Sequence, residues 1–259
     1  TKAIGSALIK HDKLDARVLA SLNAADVLAR VSRPTLKERL ARTPVVIRDG
    51  LVQCRATLIN TVRSVLDAEG IEVASSTADG FTSKVCSVLA EAPKELAEAV
   101  TPMLEAIDAL SEQIATCDEA IELSVKSDPV ALGLMTAPGV GPIVTSYFAM
   151  AVRDPSRFKS CRQVSAYLGL VPSLYASGQT SRRGRITKHG SRKARWALTV
   201  AANAVLRTRS PSRLRDWGLV LVKRLGRKKA IVAIARKLAN VLWAMRKNER
   251  VFEPMHGMA

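Results

Sequence analysis

The sequence predicts a mainly α protein, and three runs of apolar residues at helical spacing carry that prediction. Leu96, Val100, Met103, Ile107, Leu110, Ile114, Cys117 and Ile121 follow one another at steps of 4, 3, 4, 3, 4, 3 and 4, the seam of a coiled coil. Leu51, Cys54, Leu58, Val62 and Val65 form an earlier stripe at steps of 3, 4, 4 and 3. Near the C-terminus Ile231, Ile234, Ala235, Leu238, Leu242 and Met245 share a face, with Arg236, Lys237, Arg246 and Lys247 away from it. With 47% hydrophobic and 24% charged residues in a chain of 259, these helices can bury a sizeable core, which excludes wholesale disorder.

In chain order, Asp12 to about Ala29 reads as a helix. Asp12 and Asp15 share one of its faces, with Leu19 and Leu22 on a nearby stripe. Ser32-Arg33-Pro34-Thr35 breaks it. A long helix then runs from about Leu36 to Ala68, kinked or divided at Pro44, with Arg48, Arg55 and Arg63 on its polar face. Residues 69–80 are loop-like. Thr101-Pro102, inside the next seam, reads as an N-cap and first helical residue, which would start that helix there. The segment is acidic, with ten Asp/Glu and two Lys between 91 and 128. Its seam suits an antiparallel hairpin with the 36–68 helix and a dimer interface equally, and a four-helix arrangement combines both.

From 129 onward two short apolar helices flank Pro138-Gly139-Val140-Gly141-Pro142, and a mixed segment reaches 172. A polar, Gly-containing loop at 173–194 and two basic amphipathic helices, near 192–208 and 227–247, complete an all-helical domain with room for one hairpin. The chain thus divides into residues 1–32, a helical coiled-coil spacer at 33–128, and a basic domain at 129–259. Residues 129–152 carry no charge, but the Pro-Gly-Val-Gly-Pro break leaves two short buried helices rather than a membrane span. No signal peptide is visible, and a first residue of Thr is expected of a chain that begins partway through a longer protein.

Charge is the strongest functional signal. Residues 1–150 hold 15 basic and 19 acidic side chains, and residues 151–259 hold 25 and 4, so the net +17 lies in the last two-fifths. Such asymmetry points to a polyanion, nucleic acid above all. Residues 155–215 contain 14 Lys/Arg and no Asp or Glu, a surface that repels itself unless an anion neutralises it. Aromatics in it are few (Tyr167, Tyr175, Trp196), which favours backbone contact over base stacking. Cys54, Cys86, Cys117 and Cys161 have no metal-ligand spacing and read as reduced core residues of a cytoplasmic protein. His11, His189 and His256 form no cluster, which removes a zinc site of the usual kind.

Three constellations could carry chemistry. The glycines Gly139 and Gly141, between helices, resemble the hairpin of helix–hairpin–helix modules, whose backbone amides approach a phosphate; a plain tight turn is the alternative. Ser177-Gly178, followed by Arg182, Arg183, Arg185 and Lys188, places a hydroxyl beside cations suited to a phosphodiester's developing charge. A turn serine is the alternative, since no carboxylate in 155–215 can take its proton. A catalytic Ser177 therefore needs its base or metal from elsewhere in the chain or from another subunit. Asp12 and Asp15 could supply it, because two carboxylates one helical turn apart can ligate Mg²⁺; a solvated helix start is the bland reading. Lys159, Arg192, Lys193 and Arg195 extend the candidate nucleic-acid contacts.

Taken together these residues resemble a known family. Lys10-His11-Asp12-Lys13-Leu14-Asp15-Ala16-Arg17, the acidic helical spacer, Thr136 to Pro142 and Asp154-Pro155-Ser156-Arg157-Phe158-Lys159-Ser160 stand in one order. Ala166-Tyr167-Leu168-Gly169-Leu170-Val171-Pro172, Ser177-Gly178 and Gly184-Arg185-Ile186-Thr187-Lys188-His189-Gly190 continue it. That order is similar to the DEDD transposases of bacterial insertion sequences (the IS one-ten type), recombinases guided by a bridge RNA and related to the pilin-gene invertase.

The resemblance implies a RuvC-like (RNase H-like) domain with four acidic metal ligands, of which Asp12 and Asp15 match the last two. Residues 1–32 would be the C-terminal remnant of that domain. It implies a coiled coil next, then a transposase domain with Ser177 as nucleophile, in a composite site formed between subunits. The partners implied are DNA, guide RNA and a homo-oligomer, dimer or tetramer, and the cofactor is Mg²⁺. The family's first two acidic residues have no match here, so the chain by itself is not expected to assemble the four-carboxylate site. The expectation is a recombinase; the alternative is a non-catalytic nucleic-acid-binding or assembly protein derived from one.

Overall fold

The computed structural model describes residues 11–27, 33–177 and 180–254; the side chains of Ala176, Ser177, Thr180 and Arg183 fall outside the description. The chain divides into two units, residues 1–37 and 38–259. In the first, α1 (Asp12–Ala24) begins where His11 is extended and its Nδ1 accepts the Lys13 N–H at 3.1 Å. The helix ends at Ala24, before the expected Ala29; positions 28 and 29 lie outside the described residues.

The second unit is built on two long helices. The first, α2 (Leu36–Ala68), continues unbroken through Pro44, and α4 (Lys94–Lys126) follows a short α3 (Phe81–Leu89) that lies outside the three predicted apolar stripes. Arg48 pairs with Asp118, Arg55 donates to Ser111 Oγ at 2.9 Å, and Val62 and Leu66 share a core with Leu104 and Ile107. Numbers that rise along α2 fall along α4, so the two form an antiparallel hairpin. Arg48 and Arg55 of the expected polar face are therefore cross-helix ties. Arg55 also reaches Asp79 at 2.6 Å, and Arg63 donates to the Val73 carbonyl at 3.1 Å while lying 5.0 Å from the Phe81 ring centre.

Helix α4 starts at Lys94 rather than at Pro102, because Val100 and its neighbours already pack on α3; Thr101 donates its hydroxyl to Ala97 within the helix. Along the seam Val100, Ile107, Ile114 and Ile121 are buried, whereas Leu96, Met103, Leu110 and Cys117 are half-buried. The cysteine reading changes too. All four are free, but Cys54 and Cys86 are exposed and Cys117 and Cys161 half-buried, so none is a core residue.

A larger core occupies the rest: α5 (Pro129–Leu134), α6 (Pro142–Ala151), a 3₁₀ turn (Pro155–Arg157), α7 (Cys161–Tyr167), α8 (Arg192–Arg207), α9 (Arg213–Leu225) and α10 (Arg227–Asn248). Helix α9 is a third basic helix where two were expected. The hairpin for which the sequence left room is present. The segment expected as a polar loop holds a two-stranded antiparallel sheet, β1 (Pro172–Ser177) and β2 (Thr180–Ile186). Both strands are largely solvated, so no alternation of apolar residues announced them.

Small residues on α8 (Ala194, Ala197, Ala201, Ala202) let neighbouring helices approach closely, and Ile234, Leu238 and Leu242 of α10 fill the centre. Val45 of α2 and Ile121 and Val125 of α4 join this same core. Trp243 Nε1 donates to the Pro155 carbonyl at 2.9 Å. Arg246 reaches the carbonyls of Ala149 (3.1 Å) and Val152 (2.7 Å), capping α6; burial lowers its pKa, yet the bonds satisfy its donors. No helix among the described residues is long and apolar enough to cross a membrane.

Asp49 ties α2 to the helices of the larger core. It accepts from the Tyr147 hydroxyl of α6 and pairs with Lys193 of α8 at 3.0 Å. Burial first, then the bond to Asp49 and its charge, push the Tyr147 hydroxyl pKa well above its ordinary value. The folded state therefore holds that proton more tightly than the unfolded chain. The resulting stability is full below pH ~10 and is lost as pH rises above it. Tyr147→Phe is expected to cost about 1–2 kcal/mol at pH 7, a deficit that shrinks in urea titrations above pH ~10. A deficit constant across that range would refute the assignment.

Candidate nucleic-acid interface

The basic surface is organised around the base of the β1–β2 hairpin, where two chain segments cross with almost no space between them. Gly169 (φ +68°) and Gly190 (φ +70°) both have left-handed backbones. A Cβ on Gly169 would overlap the His189 backbone, and one on Gly190 would overlap the Tyr167 carbonyl. Thr187 N–H donates to the Val171 carbonyl at 2.9 Å and Lys188 N–H to that of Gly169 at 3.1 Å. Arg195 Nη1 closes the crossing by donating to the carbonyls of Leu168, His189 and Gly190. Burial, then the charge of Arg192, lower its pKa.

From this base the hairpin projects with Tyr175 opposite Arg182, Leu174 opposite Arg183 and Ser177 opposite Thr180. Register places Gly184 and Arg185 together against Ser173, a bulge in which Ser173 Oγ donates to the Arg185 carbonyl at 3.1 Å. Ser177 is the last residue of β1, at the turn. Its side chain and that of Arg183 are outside the described residues.

Arg182, Arg185 and Lys188 are exposed on or beside β2, and Arg192 at the start of α8 is exposed as well. Lys159 is exposed just ahead of α7, its backbone N–H bonded to Gln163. The expected contacts are thus brought to one domain, but two of them have other work. Lys193 pairs with Asp49, and Arg195 holds the crossing. The sequence carried no sign of either role, since both depend on residues distant in the chain or on backbone carbonyls.

The glycines of the Pro-Gly-Val-Gly-Pro turn also differ from each other. Gly139 (φ +76°) abuts α8, where a Cβ would stand 2.5 Å from the Ala201 carbonyl oxygen, so its bareness serves helix packing. Gly141 is extended, precedes Pro142 at the start of α6 and has open space around it. Asp12 is exposed and Asp15 half-buried in the first turn of α1. No group of three or more His, Cys, Asp or Glu able to hold a metal occurs among the described residues.

Residues 132–216, from α5 into α9, match the family model described as transposase, IS116/IS110/IS902 family. A probable family 20 transposase of Pseudomonas aeruginosa is 28% identical over 252 residues, covering 95% of this chain and 74% of that protein. The transposase of insertion sequence element IS1111A from Coxiella burnetii is 29% identical over 249 residues, covering 94% and 68%. Over residues 132–216 the chain is thus similar to the IS110-type transposases, and curated transposases match it along most of its length. The pilin gene-inverting protein of Moraxella bovis is 30% identical over 121 residues, 46% of this chain and 38% of that protein. The family stretch contains the glycine crossing, the hairpin and the acid-free segment, so the signal and the basic surface coincide.

Proposed function

We propose that this chain is part of a DNA transposase or site-specific recombinase that cuts and rejoins DNA through Ser177. The observation that carries the reading is the hairpin itself: Ser177 ends β1, inside 61 residues without a carboxylate, on the same hairpin as the exposed Arg182 and Arg185. In the step proposed, the serine oxygen bonds to phosphorus and a deoxyribose oxygen leaves as a hydroxyl, taking up a proton in place of the one serine loses. The guanidiniums offset charge on the non-bridging oxygens. The base lies outside the acid-free segment.

Asp12 and Asp15 offer two carboxylates for Mg²⁺, fewer ligands than a competent site needs, so they would hold the ion only together with further ligands. A guide RNA is proposed as a second polyanion on the same basic domain, and pairing of copies through the α2–α4 hairpin as the route to a composite site in a dimer or tetramer.

The test is adduct trapping. The full-length protein is incubated with Mg²⁺ and donor DNA carrying a suicide nick, with and without RNA from the element's flanking non-coding region. Peptide mapping of an RNA-dependent covalent adduct to Ser177 is the expected result. Tight, salt-sensitive binding without any adduct would overturn the serine mechanism and leave a nucleic-acid-binding protein.

A further inference from the structure

Beside the Ser177 turn the hairpin carries an aromatic side chain that phosphate binding leaves unused. Tyr175 is 69% exposed and its β1 neighbour Leu174 is 64% exposed. The other tyrosines are engaged elsewhere: Tyr147 is buried on Asp49, and the Tyr167 ring packs edge-on against Phe158, 5.3 Å between centres. The Tyr175 hydroxyl has no hydrogen-bond partner among the described residues.

The ring is nonetheless placed. It lies along Gly184 of β2, where an added Cβ would stand 3.1 Å from its Cε2 and 3.7 Å from its Cδ2. A glycine there lets the ring rest on the strand with its other side open to solvent. Directly across the ladder is Arg182, also exposed. An exposed ring resting against a strand leaves apolar surface in water unless something covers it. In an acid-free setting the cover that fits is itself flat and carries negative charge beside it, which describes an unpaired nucleobase and its phosphate.

We propose that Tyr175 is a stacking platform for an unpaired nucleobase next to the phosphate addressed by Ser177, with Arg182 on the adjoining backbone. The inference rests on the recombinase reading, in which strands at the cut must part before they rejoin, and it adds a contact specific to single strands. Gly184 is then a positioning residue, since a Cβ there would overlap Ser173 Oγ at 2.4 Å and crowd the ring at 3.1 Å.

The experiment uses the full-length protein and 2-aminopurine oligonucleotides in three forms: single-stranded DNA, single-stranded RNA of the same sequence, and paired duplex. Wild type is expected to quench the probe in a single strand. Tyr175→Ala is expected to weaken single-strand binding at least about fivefold while duplex binding changes less than about twofold. Tyr175→Phe should retain it and Tyr175→Trp strengthen it. The salt slope should stay constant across this series and fall by about one in Arg182→Ala. The DNA and RNA arms identify which strand supplies the base.

Equal single-strand affinity in wild type and Tyr175→Ala would overturn the proposal, as would a proportional loss on duplex. Wild type that binds duplex but no single strand overturns it while leaving the basic-surface reading in place. Wild type that binds neither form removes both. If Tyr175→Ala loses its helical circular dichroism, the Phe and Trp variants decide: single-strand affinity must follow ring size, and indifference to the ring refutes stacking.

Discussion

Replacing Ser177 by alanine in the full-length protein is expected to lower strand exchange to below about 0.1% of wild type while nucleic-acid binding changes less than about twofold. Removing a nucleophile removes the bond-forming atom, whereas removing a phosphate contact weakens an interaction shared among many cations. Arg182, Arg185, Lys188 and Arg192 are exposed and independent of the serine, so the grip survives the change. Binding by gel shift and recombination of a paired-site plasmid give the two readouts. Undiminished recombination would sink the serine assignment. Loss of both readouts together would mark Ser177 as a structural turn residue.

The second large effect concerns stability. Gly190→Ala is expected to destabilise the 38–259 unit by about 3 kcal/mol or more, read as a shift of the urea midpoint. A left-handed alanine costs roughly 1 kcal/mol by itself. The remainder follows because the new Cβ would meet the Tyr167 carbonyl, which is backbone and cannot rotate away. Arg195 is bound to the same crossing, so Arg195→Ala should give a smaller loss of the same kind. Gly50→Ala is the control. Gly50 lies inside α2 with nothing within 4 Å of its missing Cβ, and alanine there should stabilise by up to about 1 kcal/mol. If Gly190→Ala unfolds at the wild-type midpoint, the two segments do not cross as described.

The long helices were the most legible part of the fold. Leu36–Ala68 and the 96–121 seam could be read because a buried helical face repeats every three or four residues, and local spacing is all that reading needs. The position of the hairpin was illegible for the converse reason. Leu174 and Tyr175 are exposed, and β2 is Thr180-Ser181-Arg182-Arg183-Gly184-Arg185-Ile186, so neither strand shows a one-sided apolar pattern. Helix α9 escaped notice among its charges, although Ser212 caps it and Leu214 and Leu221 are buried.

The same division runs through the candidate site. Net charge is a sum over the sequence, so the acid-free run and the polyanion partner could be recognised without coordinates. The division of labour among the cations could not. Lys193 is claimed by Asp49, 144 positions earlier, and Arg195 by three carbonyls around the crossing, while Arg182 and Arg185 stay available to a ligand. Gly139 and Gly141 look alike as motif glycines, yet only the first is pressed against α8.

By itself, the sequence determined helix content, the basic character of the C-terminal part and the order of motifs that marks the transposase family. Those properties depend on residue type and local spacing. Only the tertiary structure decided that α2 and α4 fold back on each other and that Gly169 and Gly190 permit a backbone crossing. It alone showed Tyr175 lying on Gly184 at the turn that ends in Ser177. Each of these depends on contacts between residues far apart in the chain or across a ladder, where excluded volume and hydrogen-bond geometry select one arrangement that no periodicity encodes.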